Sequence, residues 1–196
     1  MRVLVACEYS GRVRDAFTAK GHSAISCDLL PTDSPGEHYQ GDIFDLDFSE
    51  FDLMVAHPPC TYLANSSVQH LHKDAKRWLD LFDGAAFFKK LMDLPIPKIA
   101  IENPIMHKYA KTLIGGVKQS QVVQPWMFGH TEQKGTCLWL KGLPLLKPSN
   151  MVKEEMMQLP KRERERLHYL PPSKDRWKLR STTYQGIANA MANQWG

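Results

Sequence analysis

The sequence predicts an α/β fold: a Rossmann-like, doubly wound and mostly parallel sheet flanked by helices. Three observations carry that expectation. Short apolar runs recur at Arg2 to Ala6 (RVLVA), Ser23 to Cys27, Phe51 to Ala56 (FDLMVA) and Lys98 to Ile101 (KIAI), with the length and continuity of strands buried on both faces. Stretches of helical spacing separate them, and this alternation is the mark of βαβ units. Finally, residue types suited to chemistry follow Ala6, Cys27, Ala56 and Ile101, at the strand ends where such sheets bind ligands.

In chain order, the first run leads into Cys7-Glu8-Tyr9-Ser10-Gly11. Val13, Ala16 and Phe17 then recur at helical spacing, and Gly21 closes that helix. The second run ends at Asp28, and Gly41-Asp42-Ile43 lies in a turn-rich acidic stretch. The third run enters His57-Pro58-Pro59-Cys60. Asp74 to Leu91 reads as a helix with Trp78, Leu81, Phe82, Ala85, Phe88 and Leu91 on one side. Lys98 to Ile101 ends at Glu102-Asn103-Pro104, which turns the chain away. Thr136 to Leu140 (TCLWL) reads as a later strand. Residues 151–180 are rich in charge and proline, and a last helix from near Thr183 carries Ile187, Ala190 and Met191. The expected organisation is one domain over residues 1–196 with a short charged insertion near 142–180.

Composition narrows the function classes. Hydrophobic residues make up 43% of the chain and charged residues 23%, enough for a packed core. The formal charge of +4 permits an acidic partner without demanding one. Cys7, Cys27, Cys60 and Cys137 show no CxxC spacing, no secretory signal opens the sequence, and no apolar run is long enough to cross a membrane. The expected setting is a reducing cytoplasm with free thiols, so the sequon Asn65-Ser66-Ser67 is chance. His57, Cys60, His70 and His72 match no standard zinc spacing, and no metal is expected.

Cys60 follows two prolines, which stiffen the backbone and remove two donors. A stiff loop at a ligand-facing edge suits a nucleophile, although a cysteine in a tight turn would look the same. Glu102, at the end of the next strand, projects over the same edge. Such a carboxyl can protonate a ring nitrogen if burial raises its pKa, or it can simply cap a helix. Asp28 lies seventeen positions past Gly11, near the distance at which nucleotide-binding units place a ribose-binding acid. Asp42, one loop later, suits an adenine amino group, and either acid can also be merely solvated. Gly11 is the only glycine in the first loop, so there is no GxGxxG and a pyrophosphate cofactor is disfavoured.

Taken in order, these pieces resemble the DNA (cytosine-5)-methyltransferases. Pro58-Pro59-Cys60 resembles their nucleophile motif, Glu102-Asn103 their ring-protonating motif, and Gly41-Asp42-Ile43 the motif that meets the cofactor adenine. Gln185 to Ala192 (QGIANAMA) is similar to their last motif. Gly129-His130, Glu132 and Lys134 before the CLWL strand are similar to the short enzymes of phages and prophages. The resemblance implies S-adenosylmethionine as cofactor and cytosine in DNA, flipped from the duplex, as substrate. It implies Cys60, Glu102 and Asn103 as catalytic residues. Glu8, Tyr9, Ser10, Gly11, Asp28, Leu29, Asp42, Ile43, Pro58 and Asn189 would hold the cofactor, and Pro59, His130 and Lys134 the substrate.

The chain departs from the pattern in its glycine-poor first loop and at Ile187, where the family has asparagine. It lacks the arginine-rich strand motif, which His130 or Lys134 would replace. About 40 residues separate Leu140 from the final motif, so the insertion stands in place of a full target-recognition domain. Low sequence specificity follows, with a homodimer or partner protein able to supply the missing surface. Two other readings remain: an amino-group (N4 or N6) DNA methyltransferase, whose motif fits His57 and Cys60 poorly, and a catalytically silent nucleic-acid-binding module built on the basic segment Lys161 to Arg180.

Overall fold

The computed structural model describes residues Met1–Gly196. Strands β1 (Arg2–Ala6), β2 (Ser23–Asp28), β3 (His38–Gln40), β4 (Leu53–Ala56), β5 (Lys98–Pro104), β6 (Gln121–Val123) and β7 (Thr136–Lys141) form one sheet in the order β3-β2-β1-β4-β5-β7-β6. The first five run parallel, and β7 runs antiparallel between β5 and β6. The chain winds outward from β1 to β3, then restarts on the other side of β1 with β4 and β5. This is the expected Rossmann-like, doubly wound architecture, and its switch point lies between β1 and β4. The carboxyl ends of those two strands splay away from one another's connections and leave a crevice.

Alternation along the strands builds a core on each face. Leu4, Ala6, Met54, Ala56, Ile99 and Ile101 pack on one side with helices α2 (Lys76–Met92) and α3 (Lys108–Leu113). Val3, Val5, Leu53, Val55, Ala100 and Leu138 pack on the other with α1 (Arg12–Thr18) and α7 (Gln185–Trp195). Both faces are covered, which is why the strands read as unbroken apolar runs.

Some elements differ from expectation. β5 does not turn away after Ile101, because β7 pairs Glu102 with Leu138, Asn103 with Cys137 and Pro104 with Thr136. The apolar stripe of α2 is narrower than its sequence suggests: Leu81, Ala85, Phe88 and Leu91 are buried, whereas Phe82 is 50% exposed. β3 and β6, three residues each, are too short to show a period. The charged segment holds three short helices, α4 (Lys153–Gln158), α5 (Lys161–Arg164) and α6 (Arg176–Ser181). Trp139 is core, its indole N–H donating to the Val117 carbonyl. No helix is long and apolar enough to cross a membrane.

One buried cation organises the loop after β2. Arg14, on α1, is 1% exposed. Its guanidinium donates to the Ser34 and Pro35 carbonyls at 3.1 and 3.0 Å, to Ser26 Oγ at 3.1 Å, and to Asp15 at 2.8 Å. A side chain on Gly36, at φ 145°, would run into it. A buried charge is tolerated only when so fully bonded. Arg14→Met should therefore leave the Pro35 carbonyl without a donor and remove the charge-assisted bond to Asp15, at a cost of about 3 kcal/mol, read as a lowered urea midpoint, with protease cleavage appearing first between Leu30 and Gly36.

Candidate active site at the switch point of the sheet

Two neighbouring parallel strands set the site. Ala56 of β4 is in register with Ile101 of β5, so His57, just past β4, and Glu102, still on β5, stand side by side. His57 Nδ1 lies 3.1 Å from Glu102 Oε2, and both side chains are only 12% exposed. Thr183 Oγ1, just before α7, also donates to Glu102 Oε2 at 3.4 Å. One position further along β5, Asn103 donates from Nδ2 to the Pro58 carbonyl at 3.2 Å. This bond fastens the double-proline loop to β5. Leu63 and Ala64 donate back to the Cys60 carbonyl, so Cys60 opens a tight turn on that stiffened loop.

The electrostatics follow from this packing. Burial alone would discharge His57, but the bond and negative charge of Glu102, with Glu8 behind it, outweigh burial and Lys134, and hold the imidazole above its ordinary value. Burial would likewise push Glu102 up. The His57 bond and charge, Lys134 and Thr183 overcome it and hold the carboxylate low. The condition that burial raise Glu102 is not met: its pairing with His57 holds the carboxyl below its ordinary value. Burial raises the Cys60 thiol, opposed chiefly by the positive charges of Lys134 and Arg180. Cys27, buried beside Asp28 and Asp42, is pushed up to about 12.

The first loop is largely occupied by its own structure. Glu8 is buried and accepts from the N–H groups of Val13 (2.8 Å) and Arg14 (3.1 Å), so it caps α1 where a cofactor contact was expected. Ser10 Oγ donates to the same carboxylate. Gly11 sits at φ 71° against Arg14. Tyr9 is buried, its hydroxyl reaching the Lys178 carbonyl and Ser181 Oγ of α6 at 3.2 Å each. Ile43 is a core residue. Asp28 and Asp42 each spend one oxygen on a nearby backbone N–H, Leu30 and Phe44 respectively, and keep Oδ2 free. Leu29 between β2 and β3 is 74% exposed.

On the substrate side, Pro58 is buried and Pro59 exposed. His130 accepts from the Gly186 N–H at 2.9 Å and is held below its ordinary value by burial. It thus pins the start of α7, and a side chain on Gly186 would collide with the Phe128 carbonyl and His130. Lys134 donates to the Arg180 carbonyl at 2.8 Å. Asn189 lies on the exposed side of α7, bonded to Gln185 and not joined to the cluster. A cavity of about 230 Å³ adjoins the site, lined by Arg12, His130, Glu132, Arg166, Thr183 and Gln185 among others. His57, Cys60, His70 and His72 do not form a metal-holding group, nor do any other three His, Cys, Asp or Glu side chains.

His57, Thr183 and Arg180 were not legible as site residues. His57 carries a signal in hindsight, since it stands one residue past β4 as Glu102 does past the register partner on β5. Arg180 and Thr183 arrive from far along the chain and carry none.

The fold and cluster thus define a Rossmann-like α/β protein with a cysteine, a carboxylate and a histidine gathered at the carboxyl ends of β4 and β5. No protein-family model and no curated protein matches the sequence. Among solved structures, the chain is similar to a candidate DNA modification methyltransferase encoded within an E. coli prophage, at 15% identity and TM-score 0.48 over 82% of this chain and 56% of that one. It is similar to the Entamoeba histolytica methyltransferase EhMeth, at 13% identity and TM-score 0.47 over 77% and 57%. The S. pombe Dnmt2 methyltransferase aligns at 16% identity and TM-score 0.41 over 89% and 60%. The chain therefore spans less than two thirds of the length of these structures.

The ion pair makes stability depend on pH in a defined window. Glu102, held below its ordinary 4.5, contributes stability that is present above that pH and lost as pH falls through its folded value. His57, held above its ordinary 6.5, contributes stability that is present below that pH and lost as pH rises through its folded value. The stability difference between the native chain and Glu102→Gln should therefore be greatest between pH 4.5 and 6.5 and narrow on either side, as measured by urea unfolding across a pH series.

Proposed function

We propose that this protein transfers a methyl group from S-adenosylmethionine to carbon 5 of cytosine in DNA, through a covalent bond between Cys60 and carbon 6. The observation that carries the reading is the Asn103–Pro58 bond. It holds the cysteine loop against the strand that bears Glu102, so nucleophile and proton donor keep a fixed separation on one edge. The sequence resemblance, in which Pro58-Pro59-Cys60 and Glu102-Asn103 match in order, supports the same assignment.

The residues beyond β1 and β2 fit the cofactor. Asp28 Oδ2 and Asp42 Oδ2 are unspent acceptors for ribose hydroxyls and an adenine amino group, and exposed Leu29 offers an apolar surface for the ring. When bound, S-adenosylmethionine supplies the methyl group that carbon 5 accepts. The chain supplies the rest. Lys134 and Arg180 favour the Cys60 thiolate, whose electron pair adds to carbon 6. Glu102 hands a proton to ring nitrogen 3, which turns a poor carbon nucleophile into an enamine. Loss of the carbon-5 proton to a water molecule then re-forms the double bond and expels Cys60 as thiolate. One difficult step becomes two easier ones.

The region near 142–180 serves in place of a recognition domain. Its nine basic residues from Lys153 to Arg180, against five acidic ones, suit phosphates, which position a protein without reading sequence. The four free cysteines accord with a reducing cytoplasm. Incubation of a mixed-sequence duplex library with protein and S-adenosylmethionine, followed by bisulfite sequencing, should reveal 5-methylcytosine in short, varied contexts, with yield falling steeply as salt rises. Cys60→Ser should lower it by a factor on the order of 10³ or more while circular dichroism stays native. Full activity in Cys60→Ser would overturn the covalent route, and modification of amino groups alone would overturn the choice of carbon 5.

A further inference from the structure

Glu102 faces the His57 imidazole, with Oε2 3.1 Å from Nδ1, and this partner holds its carboxyl below its ordinary value against burial. The imidazole has no second anchor: its Nε2 is buried with no hydrogen-bond partner. A histidine kept for structure normally has both ring nitrogens engaged. This one is bonded through Nδ1 alone, to the carboxylate on which the proposed chemistry turns.

We propose that His57 is a positioning residue that stores the proton Glu102 passes to the cytosine ring, so that the two side chains work as one acid. This rests on the function proposed above and adds a residue to it. In the addition step, the Cys60 thiolate forms the Sγ–C6 bond, Glu102 gives a proton to nitrogen 3, and the Nδ1 proton of His57 moves onto Glu102. The pair goes from neutral overall to singly negative, and the negative charge of the thiolate is lost in the neutral adduct, so charge and protons balance. His57 is left neutral, with its remaining proton on Nε2. Elimination of Cys60 returns the nitrogen-3 proton along the same path.

The surroundings suit a proton held in reserve. Glu102 faces the imidazole from β5, Glu8 from the loop after β1 and Lys134 from the loop before β7, while Thr183 donates to the same carboxylate oxygen that meets His57. Cys60 lies three residues further along the same loop, and its charge is read against Lys134 and Arg180. Two carboxylates favour the charged imidazole and one cation opposes it. Despite burial, the balance holds the imidazole proton to higher pH than a free histidine would.

Two measurements test this. The first needs no activity: the His57 ring is titrated by nitrogen NMR in the native chain and in Glu102→Gln. The native ring should titrate above the ordinary histidine value, and the variant ring below it. A ring that titrates at or under the ordinary value in the native chain overturns the proposal, whatever the enzyme does. The second is the pH profile of single-turnover methyl transfer in the native chain, His57→Gln and His57→Asn. The amides keep a donor toward Glu102 but cannot titrate. Their alkaline limb should fall at least about one pH unit earlier, roughly a tenfold deficit at pH 8 that shrinks toward pH 6. A uniform loss at every pH would mean that His57 only supports the loop, and would overturn the proposal. If the native chain forms no 5-methylcytosine, the proposed function fails, and the NMR result alone then decides whether the pair shares its proton.

Discussion

The parallel register of β4 and β5 is the constraint on which the site depends. Ladder bonds place Ala56 opposite Ile101, and everything of chemical interest follows from what comes next on each strand. A slip of one residue would send His57 and Glu102 to opposite faces of the sheet. Such a slip is prevented by burial rather than by the polar residues. Met54, Ala56, Ile99 and Ile101 belong to one core and Leu53, Val55 and Ala100 to the other, so a slip would exchange both faces at once. β7, pairing with Glu102 and Asn103 from the other side, keeps the carboxylate's strand straight past the point where a free end would curl.

The opposite edge of the crevice is built differently. Rossmann-like loops commonly use glycines to bring a backbone close to a ligand. Here Cys7 adopts φ 57°, a left-handed conformation unusual outside glycine, and Glu8 folds back onto the first amides of α1. A buried carboxylate at a helix N-terminus satisfies orphan donors and complements the helix dipole, so the loop is rigid before any ligand arrives. The side chains left over for binding are those past β2, which explains why the acids at Asp28 and Asp42 carry free oxygens while the first loop has few.

Much of this was legible in the sequence. Continuous apolar runs revealed four of the five parallel strands, because both faces of this sheet are covered, and the residues after them lie together at the carboxyl ends of those strands. Cys60 and Glu102 were visible for the same reason. The His57–Glu102 pairing was not, since it depends on which strands are neighbours, and strand order is not a local property. The cap that Glu8 places on α1 was not legible either, because a capping carboxylate and a ligand-binding one look alike along the chain. Asn103 reads as a partner of Glu102 in the motif. Only the fold shows that its amide spends a donor on Pro58, leaving Oδ1 without a partner.

The segment between β7 and α7 is fixed at its two ends to one short stretch of chain. Gly129 donates to the Asn150 carbonyl where the segment enters, Gln133 to the Arg164 carbonyl within it, and Gly186 to His130 where it leaves. Further in, residues beside Pro144 and Lys147 lie along the end of α7, held by Trp195 and Gln194. Entry and exit thus sit side by side on the loop Phe128 to Gln133, like the two contacts of a socket. Closing a longer loop between fixed points costs little, about 0.6 kcal/mol for each doubling of length. The stretch from Asn150 to Leu170 is therefore a replaceable cassette, free to lengthen or shorten while the sheet and its core stay as they are, whereas α6 beyond it is tied to Tyr9 and Lys134.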